Sequence, residues 1–174
     1  MAGLTDYSGE FNPKARYQDF SAETLATLLT EYTRIEIAHG GWWYDAVRER
    51  HGEEEAVECE KEVWKKGIPY IPLCITRALD IHGNDVAACI KTLQMAPGGC
   101  ADIFDIDWGL EDASQGTCTT NRCPAMEFFE SHGETVKMEN MCQMEIDNVN
   151  MIANYFQSAY EDRTFETAAS YERG

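Results

Sequence analysis

Apolar residues recur every three or four positions from residue 21 to about 95, alternate briefly, and then return to the helical spacing. The first helical stripe is Leu25, Leu28, Leu29, Tyr32 and Ile35, opened by Ser21 as an N-cap with Phe20 placed to staple onto Leu25. Gly40-Gly41 is expected to break or bend this helix. "WWYDAVRERHG" then reads as a short second helix using Trp43, Ala46 and Val47, stopped at Gly52. A third covers about 53–65, with Ala56, Val57, Val63 and Trp64 on one face. Pro69 and Pro72 direct the start of the fourth to near Pro72, and it carries Leu73, Ile75, Ala78 and Leu79. "HGND" turns the chain. Asn84 or Asp85 caps a fifth helix through about Met95, which "APGG" ends.

The period then changes. Phe104, Ile106 and Trp108 alternate with Asp105 and Asp107, as in a strand buried on one face. "GLEDASQG" is a turn and "TCTTNRC" a returning strand. Pro124 opens a helix bearing Met126 and Phe129 that closes at Gly133, and a last helix covers about 147–160. The pattern is α+β: an N-terminal helical half packed on a small antiparallel sheet, with C-terminal helices. Residues 1–20 read as a polar arm and 21–174 as one domain.

Charge narrows the partners. The 14 basic and 31 acidic residues leave a net charge of -17, whereas nucleic acid and anionic membranes both attract basic footprints. No apolar run approaches the ~20 residues needed to span a bilayer. The first 20 residues lack the basic-then-apolar order of a signal peptide. A cytoplasmic protein acting on a small molecule is the expectation, with self-association left open. Its seven cysteines are then expected to be reduced, with Cys74 and Cys89 as core thiols in apolar helical stretches.

Two groups of residues could carry chemistry. If Pro124 is the first helical residue, Cys123 stands at the N-cap, where free N–H groups and the helix dipole favour a thiolate. Arg122 adds positive charge next to it. Cys118 and Cys142 flank this position at spacings unlike a zinc ribbon's, yet three thiolates with Glu145 could close a tetrahedral zinc site. Cys118 and Cys142 could instead serve as resolving thiols for Cys123. The second group is helical. Glu36 and His39 continue the first apolar stripe, and Glu60 falls between the apolar pairs of the third helix. Glu-x-x-His with a carboxylate from another helix is how bundles assemble iron or manganese sites, and a Glu–His hydrogen bond at the bundle's edge is the alternative. Trp43 and Tyr44 could line a pocket beside His39.

"NRCPAMEFFESHGE" followed by "MCQMEIDNVNMIANYF" resembles the C-terminal signature of the L-2-amino-thiazoline-4-carboxylic acid hydrolase-like family. There a Cys-Pro and helix precede a second Cys with an acidic residue shortly after. "RIEIAHGGWWYDAVRERHGEEEAVECEKEVWK" is similar to small cytosolic proteins related to that family. The resemblance implies a hydrolase that opens a cyclic amidine-like C–N bond, with Cys123 and Cys142 near its site. The Cys-rich α+β pattern also resembles ligand-sensing domains of the vinyl-reductase type, in which cysteines and a carboxylate hold zinc.

Two functions are therefore expected to compete. In the first, Cys123 is a nucleophile or metal ligand, Glu36 or His39 is the general base or acid, and Trp43, Tyr44 and Cys142 contact substrate. In the second, a non-catalytic module holds zinc through Cys118, Cys123, Cys142 and Glu145 and binds a ligand or partner. A cleft between the first helix and the Cys118–Cys123 strand is expected in the first case.

Overall fold

The computed structural model describes residues 3–112 and 114–157; within the last helix the side chains of 135, 136, 141, 145–150 and 157 lie outside that description. Among the described residues, six α-helices and a two-stranded antiparallel sheet follow in the order α1 (Ala22–His51), α2 (Glu53–Gly67), α3 (Tyr70–Leu79), α4 (Val86–Met95), β1 (Asp105–Leu110), β2 (Gly116–Arg122), α5 (Pro124–Ser131) and α6 (Thr135–Gln157). The architecture is α+β: N-terminal helices packed against a small two-stranded antiparallel sheet, with further helices after it.

Local chemistry accounts for the element ends. The Ser21 hydroxyl accepts from the Thr24 backbone N–H at 3.1 Å to start α1, and the Asp85 carboxylate accepts from Ala88 N–H at 2.9 Å to start α4. Gly52 alone joins α1 to α2 at φ 93, a left-handed conformation that side chains other than hydrogen strain to adopt. The N-terminal arm is pinned at Leu4, whose N–H donates to Asp19 and whose carbonyl accepts from Ser21, both at 2.8 Å.

Two boundaries differ from the sequence expectation. Gly40-Gly41 does not break the chain's first helix, which runs unbroken for 30 residues. Two helical glycines cost only about 1 kcal/mol each, and the flanking turns and α2 packing carry the helix through. The last helix begins at Thr135 rather than near 147, and its expected end near 160 lies outside the described residues.

The core forms where Ile68 and α4 meet α6: Ile68, Ala88, Cys89, Ile152, Ala153 and Phe156 are buried together, with Trp64, Ile71 and Leu93 against them. In the sheet, Trp108 pairs with Cys118 and Asp107 with Thr119, with a bulge between Asp105 and Ile106. Ile106 and Trp108 are half-buried while Asp105 and Asp107 are exposed, as the alternation predicts. The covering element is α4 rather than α1: a Cβ added at Gly116 would strike Ile90 and Val86 of that helix.

Candidate functional site

Cys123 ends β2 and caps α5. Its backbone is extended (φ -126, ψ 110), Pro124 follows as the first helical residue, and the side chain makes no capping hydrogen bond. Its carbonyl accepts the Glu127 N–H at 3.2 Å, closing the first turn. The thiol forms no disulfide and stands at a helix start. Arg122 does not add its charge there. Its guanidinium forms a two-pronged bond to Glu127, with Nε and Nη2 each at 2.9 Å from a carboxylate oxygen.

The same extended backbone separates Cys118 from Cys123. Five residues at about 3.3 Å each place their Cα atoms roughly 16 Å apart, whereas sulfurs sharing one zinc must lie within about 4 Å of each other. Cys118 stands on β2 opposite Trp108; the residue is exposed, though the protein around its sulfur removes enough water to push the thiol pKa up. Cys142 is half-buried on α6. Glu145, the fourth expected ligand, lies outside the described side chains. Among the described residues no group of three or more His, Cys, Asp and Glu side chains converges as a metal site would require.

The helical trio is likewise divided. Glu60 is buried, at 6% exposure, and accepts from the Trp64 indole N–H at 2.8 Å. Burial pushes its carboxyl pKa up, partly offset by that hydrogen bond. Glu36 and His39 are exposed on α1, although the protein around the Glu36 carboxyl removes enough water to raise its pKa. Trp43 is exposed too, while its neighbour Tyr44 is 1% exposed.

Tyr44 leads to a buried polar cluster that sequence periodicity does not reveal. Its hydroxyl donates to Glu53 Oε1 at 2.5 Å, across the α1–α2 joint. Burial first, and then that bond to Glu53, pushes the phenol pKa well above its ordinary value. Lys137 of α6, at 4% exposure, donates to Asp45 Oδ1 at 2.6 Å. The ammonium lies 4.9 Å from the centre of the Phe129 ring and 5.2 Å from that of Tyr44, within cation–π range. Arg48 bridges Asp45 and Glu134 at 3.2 and 3.5 Å. Thus α1, α2, α5 and α6 meet on one charged seam, and Phe129 ties into it the helix that Cys123 caps. The sequence held one hint, a lysine four positions from Met141 and seven from Met144, but spacing alone does not say which partner it meets.

The comparisons add one likeness. Residues 18–96 match a family of unknown function, DUF6125. That stretch covers α1 to α4, so it includes Tyr44, Asp45, Glu53 and Glu60 but neither Lys137 nor Cys123. No curated protein and no solved structure matches the chain.

Proposed function

We propose that the protein is a hydrolase-like enzyme acting on a small molecule, with Cys123 as its nucleophile. The observation that carries this reading is the free thiol at the start of α5, on a helix that Phe129 locks to the buried Tyr44–Lys137 seam. A nucleophile gains from being held on a fixed element. The resemblance of the Cys-Pro stretch to the amino-thiazoline hydrolase-like family points to a cyclic amidine-type substrate. The thiolate would add to the electrophilic amidine carbon, the C–N bond would break as the ring nitrogen takes up a proton, and water would release the product from sulfur. Glu36 and His39 lie on an exposed face of α1, so the proton donor is better sought near α5.

Alkylation kinetics followed by mass spectrometry test the proposal. Cys123 should label fastest at neutral pH, and Cys89 slowly, because burial pushes its thiol up to about 11. Labelling of Cys123 no faster than Cys89 in metal-free protein would refute the nucleophile. Stoichiometric zinc with Cys123 protected would support the binding module instead.

A further inference from the structure

Helix α1 carries its apolar stripe on a side that the described residues leave largely uncovered. At 100° per residue, Thr30, Thr33 and Tyr44 share one face, and the buried Tyr44 shows that its end of this face turns inward. Leu29, Tyr32, Ile35, Trp42 and Trp43 occupy the opposite side, at 65%, 47%, 58%, 67% and 56% exposure. From Leu29 to Trp43 the stripe spans about 21 Å of helix and exposes on the order of 600 Å² of large side chains, above the few hundred Å² that monomers commonly show in one patch.

We propose that this face is the interface of a two-fold symmetric homodimer, in which α1 packs antiparallel on the α1 of a second copy. Surface area supports the need for a partner. A compact monomer of 19.7 kDa exposes roughly 8,600 Å², against 12355 Å² for this chain. Even if the 20 residues outside the described set contributed as much as unfolded chain, roughly 3,300 Å², an excess of roughly 1,200 Å² remains over a compact fold of the rest. A standard interface buries about 800 Å² per partner.

Charge selects the occupant. The chain carries a net charge of -17, so most of its surface repels a second copy and attracts basic partners. This stripe carries fewer charges: Glu36 and His39 lie on that side between Leu29 and Trp43, with the Tyr32 phenol among them and Glu31 at its edge. An isologous contact must be self-complementary, residue i meeting j as j meets i. Antiparallel pairing centred between Ile37 and Ala38 sets each Glu36 opposite the His39 of the second copy. The same register sets Tyr32 opposite Trp43, and Leu29 opposite the small Ala46. An anionic membrane, the other apolar acceptor, would be repelled by the remaining surface.

Sedimentation equilibrium of the full chain across the micromolar range tests this directly. The expected mass is about twice 19.7 kDa; a monomer at every concentration overturns the proposal. Charge reversal then locates the interface. Glu36→Lys would face the second copy's His39, and His39→Glu its Glu36, so each alone should weaken association at least tenfold. Combined in one chain, the two reversals set opposite charges across the two-fold axis, and the dimer should return. Both positions are exposed, so the far-UV circular dichroism of all variants should match the parent. A dimer indifferent to the single reversals, or one that the double reversal fails to rescue, would mean that another surface holds it.

Discussion

Asp45 and Lys137 share an ion pair but not an environment. The Lys137 side chain is 4% exposed and that of Asp45 38%, so removing either partner leaves a different orphan. Asp45→Ala leaves a buried ammonium with the longer Glu134 contact at 3.7 Å and the two aromatic rings, and should cost about 3 kcal/mol. Lys137→Met leaves a carboxylate that water can reach and fills the space with apolar atoms, so it should cost less than about 1 kcal/mol. Urea unfolding of the two variants checks the order, and a larger loss for Lys137→Met would contradict it. Cys89 gives a pH signature. Burial lifts its thiol to about 11, from roughly 8.5 in an unfolded chain. The folded value is the higher one, so this stabilisation is complete below roughly pH 8.5 and is lost as pH rises toward about 11. Cys89→Ala should therefore flatten the fall of the urea midpoint across that window; parallel profiles would refute the assignment.

The glycine pair in α1 shows how weak a local breaker is inside a long, capped helix. Ser21 starts the helix, Gly52 ends it, and Gly40-Gly41 are absorbed between them. A Cβ at Gly41 meets nothing within 4 Å, so Gly41→Ala should gain helix propensity without a clash. The expected gain is about 1 kcal/mol, read as a raised thermal midpoint with unchanged circular dichroism. A lowered midpoint would mean that the helix needs a bend there. The apolar stripe of α1 was legible from its spacing, whereas its outward orientation was not. Periodicity identifies a face without saying what covers it, and the inward side instead uses Thr30, Thr33 and Tyr44.

Across the whole molecule the acidic excess opposes compaction. With 31 acidic against 14 basic residues, self-repulsion outweighs the exposed ion pairs such as Lys61–Glu58 and Lys65–Glu62, which contribute little individually. Raising ionic strength from 0.01 to 0.15 M shortens the Debye length from about 30 to about 8 Å. At fixed protein concentration the thermal midpoint should rise. A fall would show that attractive surface pairs dominate. Among the described residues no helix is long and apolar enough to cross a membrane.

The chain's own pattern was sufficient for the hairpin, the thiol at the start of α5 and most helix ends, but not for the unbroken α1 or the start of α6. Each of the former depends on neighbours within a few positions: a cap, a period, a proline. It also marked Glu60 as a polar group among apolar ones, and that side chain is buried against Trp64. What spacing could not supply was contact between distant segments. Glu36 and Glu60 read as equals along their helices, yet packing exposes one and buries the other. Cys118 and Cys123 read as one cluster until an extended strand holds them apart. Lys137 and Asp45 are 92 positions apart and meet through the packing of α6 on the α1–α2 hairpin, because a buried charge takes whatever partner the assembled helices bring within reach.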